Sequence, residues 1–217
     1  MMYTLNQIIV LLLCLVFFNL SYTQNEKDQE NKPIIVIDPG HGGRDPGAMT
    51  AQGIKEKDIV LAIASKMVVL NDTLFENPLR LFLTRYTDTL IALRDRTLLA
   101  KTLKADIFIS IHCNKAINTT AAGTDVFVYP KSEAQASAST YLGLTVQKGL
   151  TDVLGIKNRG LKYGNFQVLR DNDSNASILL ELGFLSKSDE AIYLTKEKSQ
   201  NAIALVILQA IIKSLRL

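Results

Sequence analysis

The chain predicts an α/β fold: a single domain with a mostly parallel, twisted sheet of about six strands and helices on both faces. Three observations carry this. From Pro33 onward, strand-like and helix-like segments alternate without a gap long enough to mark a domain boundary. The strand-like runs are apolar and read as buried. The length of 217 residues suits one domain with a proper core plus a short appendage.

The elements follow in order. Ile34 to Asp38 reads as a buried strand. Asp58 to Leu70 places Ile59, Ile63, Met67 and Leu70 at helical spacing. Leu79 to Thr84 is the next strand and Leu93 to Leu103 the next helix. Ile107 to His112 and Thr124 to Tyr129 are strands, and Ala134 to Leu154 is a long helix stopped by Gly155. Phe166 to Leu169 and Ser177 to Glu181 read as short strands. The last helix, Glu197 to Leu215, has a broad apolar face (Ile203, Val206, Ile207, Ala210, Ile211), which implies packing on the sheet. There is no internal repeat, and no separate binding module flanks the domain.

Ahead of the domain, Ile8 to Phe18 is an unbroken apolar run. As a helix it spans roughly 16 Å, about half of a bilayer's hydrocarbon core, which fits the core of a signal peptide better than a membrane span. Small residues Ser21 and Thr23 follow, then a polar stretch. Residues 1–23 therefore read as a cleaved signal peptide, 24–32 as a mobile polar linker and 33–217 as the folded domain. No Lys or Arg precedes the apolar run, which is atypical, and an uncleaved anchor is the alternative. Leu13 stands where a lipoprotein would need a small residue before Cys14, so lipidation is rejected. The expectation is an exported protein, periplasmic or envelope-associated, with no stable membrane insertion once the signal is gone. Cys113 is then the sole cysteine, so the core must be held without an internal disulfide. The net charge of +3, with no run of Lys or Arg, argues against a nucleic-acid partner.

The chain has only two histidines, His41 and His112, and each closes an apolar strand-like run. Sites in open α/β sheets form where the carboxyl ends of strands open into loops. His41 follows the first strand and His112 ends the third. Glu181 closes the strand Ser177-Ile178-Leu179-Leu180-Glu181. Glu56 stands at the entrance of the helix after the first strand, which a right-handed crossover returns to the same edge. If these strands run parallel, four metal-competent or proton-transferring side chains share one rim. The loop Asp38-Pro39-Gly40-His41-Gly42-Gly43-Arg44-Asp45-Pro46-Gly47 is glycine-rich, as close presentation of His41 would require. A phosphate cradle is the rival reading, but the Lys-Ser/Thr ending of a P-loop and the GxGxxG spacing are both absent.

Two histidines and a carboxylate would give zinc three protein ligands and leave its fourth position open, as in a catalytic site. Amide hydrolysis also needs a base for water and an acid for the departing amine, a double role open to Glu181. Its strand is apolar, so partial burial should raise its proton affinity. Taken singly, Glu181 could be a salt-bridged strand end and Glu56 a solvated helix start. Cys113 adjoins His112, but successive strand side chains point to opposite faces, so a buried small hydrophobe is the better reading. A helix-borne His-Glu-x-x-His motif is absent.

With these residues in view, the chain resembles the zinc-dependent N-acetylmuramoyl-L-alanine amidases of family 3, hydrolases of the bacterial cell wall. The resemblance runs from about Pro33 to the C-terminus. It rests on Ile37-Asp38-Pro39-Gly40-His41-Gly42-Gly43, Gly53-Ile54-Lys55-Glu56-Lys57-Asp58, Leu83-Thr84-Arg85, Ser110-Ile111-His112-Cys113-Asn114 and Leu180-Glu181-Leu182-Gly183-Phe184-Leu185-Ser186. It implies one zinc per chain held by His41, Glu56 and His112, with Glu181 as the catalytic carboxylate. The implied substrate is peptidoglycan, cut between the lactyl carbonyl of N-acetylmuramic acid and the L-alanine of the stem peptide. Cys113 departs from the family, where alanine is usual. Some members insert a helix over the site between the second histidine and the catalytic glutamate and depend on an activator. Here that interval carries only core elements, so the expectation is a monomer that needs no activator. A non-catalytic wall-binding protein on the same fold, or an exported zinc hydrolase of another amide, are the alternatives.

Overall fold

The computed structural model describes residues 32–215. The expected signal peptide, 1–23, and nearly all of the linker, 24–32, lie outside the described residues.

Six strands form one sheet: β1 (Ile34–Pro39), β2 (Arg80–Leu83), β3 (Ile107–Asn114), β4 (Thr124–Val128), β5 (Asn158–Tyr163) and β6 (Ala176–Phe184). Their order is β2-β1-β3-β6-β4-β5. Strands β2, β1, β3 and β6 are mutually parallel, so the carboxyl ends of β1, β3 and β6 do share one edge. Strand β4 runs antiparallel to β6, and β5 is parallel to β4. The reversal has a simple cause. Residues 115–123, which join β3 to β4, are too few to carry the chain back to the opposite edge, as a parallel return would require.

Side chains alternate across the strands, and each face is covered by its own helices. On one face, Ile35, Ile37, Ile107, Ile109, Ile111, Ile178 and Leu180 pack with residues of α1 (Glu56–Leu74), α3 (Glu133–Leu154) and α6 (Glu197–Ser214). On the other, Val36, Phe108 and Leu179 meet Ala100 of α2 (Leu93–Leu103) with Val168 and Leu169 of α4 (Gln167–Arg170). The second layer is much smaller, and the site lies on its side of the sheet.

One local expectation needs correction, and two further elements appear. Phe166 to Leu169 is no strand; Gln167–Arg170 forms a helical turn that packs Val168 and Leu169 inward. A run this short carries no period that separates strand from helix. The sixth strand is instead β5, whose sequence Asn-Arg-Gly-Leu-Lys-Tyr carries no strand signal because an edge strand needs no continuous apolar run. A short helix, α5 (Ser188–Thr195), also precedes α6. No helix among the described residues is long and apolar enough to cross a membrane.

Candidate active site

The loop after β1 is anchored before it presents anything. Asp38, fully buried, accepts hydrogen bonds from Thr84 Oγ1 (2.6 Å), Arg96 Nη1 (2.6 Å) and Ser110 Oγ (2.7 Å). Arg85 donates to the carbonyls of Pro39 (3.0 Å) and Gly40 (2.8 Å), and Arg96 to those of Pro39 (2.8 Å) and His41 (2.7 Å). Two buried guanidinium groups thus hold three successive carbonyls. His41 needs this support, since its φ of 59° lies in the left-handed region that a residue with a Cβ rarely enters.

Three side chains then converge. His41 Nε2 lies 3.1 Å and His112 Nδ1 2.9 Å from the same oxygen, Oε1 of Glu56. The ligand atoms of His41, Glu56 and His112 all lie within 4.8 Å of one another. Glu56 is the first residue of α1, which brings its carboxylate to the rim while the side chain stays buried. Backbone N–H groups of Ala48 (2.7 Å) and Cys113 (2.9 Å) fix its two oxygens. Asp45 Oδ2 holds His41 Nδ1 at 2.8 Å, which orients the ring and leaves Nε2 for the cluster. Glycine makes room for both rings. A Cβ on Gly40 would stand 2.3 Å from His112 Cε1, and one on Gly47 2.6 Å from His41 Cδ2.

The charges of the cluster show what it can hold. Burial opposes ionisation of Glu56, yet the hydrogen bonds and charges of His112 and His41 outweigh it and draw the pKa down to about 2. Burial likewise opposes a charged His41, but the Glu56 carboxylate, then Asp45, raise its pKa to about 9. A proton on His41 thus supplies the positive charge that the carboxylate demands. The donor set fits a divalent ion, because two imidazoles and one carboxylate are ligands zinc takes.

Glu181 sits beside the cluster. It is the direct register partner of His112 across the β3–β6 pair, so both side chains share the small-helix face. Its Oε2 is buried with no hydrogen-bond partner. Burial, with the nearby charges of Glu56 and Asp125, pushes its pKa up to about 7 against the pull of the histidines. The structure therefore gathers all four expected residues at one edge. Cys113 points into the large core instead, 3% exposed, and burial followed by the charges of Glu56, Glu181 and Glu190 pushes its thiol pKa up. That is the setting of a small buried hydrophobe. The phosphate-cradle reading fails. The N–H groups of Gly40, Gly42, Gly43, Gly47 and Ala48 are all spent on Ile111, Asp45, Asp88, Asp45 and Glu56.

Reasoning from sequence missed Asp45, Arg85 and Arg96. Asp45 carried a signal, since it lies four residues from His41 inside the glycine-rich loop. Arg85 stood in a quoted motif without a role. Nothing distinguished Arg96 from an ordinary helical arginine.

An open α/β sheet with a His/Glu/His cluster able to hold a metal ion, and an acid with a buried, unpaired oxygen on the same rim, defines a class, the α/β proteins with a candidate metal site at the carboxyl edge of the sheet. Within that class, the chain belongs to the family-3 N-acetylmuramoyl-L-alanine amidases, whose family model matches residues 35–213. It is 39% identical over 178 residues to the endolysin of Bacillus phage SPP1, covering 79% of this chain and 62% of that protein. To the sporulation-specific N-acetylmuramoyl-L-alanine amidase of Bacillus subtilis it is 37% identical over 157 residues, 72% of this chain and 58% of the relative. The chain thus spans about three-fifths of the length of these curated relatives. The crystal structure of an N-acetylmuramoyl-L-alanine amidase from Clostridium difficile superposes with a TM-score of 0.79 at 34% identity, covering 86% of this chain and 98% of that one.

Proposed function

We propose that this protein is an exported peptidoglycan hydrolase that cuts the amide bond between N-acetylmuramic acid and the L-alanine of the stem peptide. One zinc per chain is held by His41, Glu56 and His112. The observation that carries the reading is the convergence of those three ligand atoms next to Glu181, a half-buried acid whose Oε2 is buried and unpartnered. Family membership supplies the substrate class.

Zinc bound there supplies Lewis-acid polarisation of a carbonyl and lowers the pKa of water. The protein's residues do the rest. Asp45 holds His41 in one tautomer, and the N–H groups of Ala48 and Cys113 keep Glu56 from rotating. Glu181 takes a proton from water as the water oxygen bonds to the lactyl carbonyl carbon. It returns that proton to the alanine nitrogen as the C–N bond breaks. A pKa near neutrality suits both halves of this exchange.

The side chains of His41 and His112 are 24% and 20% exposed, so the cluster opens to solvent. Between β3 and β6 the described residues form only β4, α3, β5 and α4. Both facts support action without an activator; in this reading the protein is a monomer and its leader serves export. Purified peptidoglycan is the test. Mass spectrometry should find stem peptides with a free L-alanine amino terminus together with peptide-free glycan. Intact peptidoglycan that pellets with the protein would overturn the reading in favour of a wall-binding protein.

A further inference from the structure

The small-helix face carries a second charged group beyond Glu181. Asp125 on β4 lies directly opposite Glu181 on β6, so their side chains share that face. The Asp125 carboxylate is buried, 1% exposed, and accepts from Arg159 Nε at 2.9 Å and Lys162 Nζ at 2.6 Å. Both cations come from edge strand β5, and their side chains are 30% and 41% exposed. One buried anion therefore holds two cations and leaves a net positive charge on the open side.

Aromatic rings fix the cations further. Arg159 Cζ lies 4.8 Å from the centroid of Phe184, and Lys162 Nζ 5.8 Å from that of Phe127. Arg159 Nη1 makes only a long bond of 3.5 Å to the Ala122 carbonyl. Among the described residues Nη2 makes none, so the outer edge of the fork is available to a carboxylate. The held geometry lowers the entropy lost on binding.

We propose that Arg159 and Lys162, braced by Asp125, bind a carboxylate of the peptide leaving group; the inference rests on the amidase reading above. The side of approach follows from the chemistry. Glu181 delivers its proton to the departing nitrogen, so the peptide leaves past Glu181, away from the histidines and toward Asp125. Neighbouring strands lie ~4.8 Å apart, which puts β5 about 10 Å from β6. An extended peptide advances ~3.4 Å per residue, so the second or third residue of the stem bears the recognised carboxylate.

Two synthetic N-acetylmuramoyl tripeptides test this, one with free carboxylates on its second and third residues and one with carboxamides. The zinc-loaded protein should favour the acid by about tenfold in kcat/KM. Arg159→Gln and Lys162→Gln each leave Asp125 one cation, and melting temperature with zinc content confirms that they fold. In each, the acid-to-amide ratio should fall severalfold, chiefly through KM. An unchanged ratio in both variants overturns the proposal while leaving the amidase reading intact. If the wild-type protein cuts neither substrate, peptidoglycan digestion judges the amidase reading, and NMR titration with the free tripeptides judges the site alone. Shifts at Arg159 and Lys162 with the acid but not the amide uphold the site, and their absence overturns it.

Discussion

The two faces of the sheet share the same strands, but one buries apolar side chains while the other mixes a small apolar layer with polar and charged groups. Toward α1, α3 and α6 the strands send Ile37, Ile109, Ile111, Ile178 and Leu180, all fully buried. Toward α2 and α4 the alternate positions of those strands begin with the apolar Val36, Phe108 and Leu179, and nearer the rim they include Asp38, Ser110, His112 and Glu181, with Ser177 also polar. Because strand side chains alternate, one strand can serve stability on one face and chemistry on the other. The polar face is tolerable because most of its groups are paired, as the triple bonding of Asp38 shows. Among the described residues, two buried oxygens on it stay unpaired, Ser177 Oγ and Glu181 Oε2, and the second is where the proposed reaction needs a free acid.

Substitutions on the two faces should therefore separate stability from chemistry. On the polar face, His41→Ala or His112→Ala should abolish stoichiometric zinc binding and reduce turnover to background, read by metal content and product release. On the apolar face, Ile109→Ala should cost about 2 to 5 kcal/mol of unfolding free energy in a denaturant titration. It should leave zinc affinity nearly unchanged in the folded fraction, and a large loss of affinity would mean that the faces are not separable.

Glu181→Gln should retain zinc yet slow turnover by about a hundredfold or more. Its effect on stability should run the other way. The native carboxyl titrates near 7 rather than at its ordinary 4.5, so the folded metal-free protein binds the proton more tightly than the unfolded chain does. Stability is therefore lost as pH rises from 4.5 to 7. The glutamine variant should be the more stable above pH 7, by on the order of 3 kcal/mol, and should match wild type below pH 4.5. Thermal melts across pH would show it. The smallest effect is expected at Asp45→Asn, which keeps a hydrogen-bonding oxygen but removes the charge behind His41. Zinc affinity should fall about tenfold, measured by competition with a chelator.

Much of this was legible because it is local. His41, Glu56, His112 and Glu181 were readable since each ends a strand or begins a helix of strong apolar character, and parallel strands collect such ends at one edge. The burial of Cys113 followed from alternation alone. Strand β5 was not legible, because its residues are polar and it pairs only through β4. Arg159 and Lys162 were hidden with it. Asp45, Arg85 and Arg96 act on backbone carbonyls or on the far nitrogen of a ring, contacts that no spacing rule encodes.

Local periodicity and strand-end chemistry thus determined the α/β class and the four residues at the rim, since both depend on neighbours along the chain. Only the tertiary structure decided that β4 reverses, that Asp125 stands opposite Glu181, and that a single oxygen of Glu56 serves both histidines. Those facts depend on register between strands distant in sequence, which is set by packing across the whole sheet.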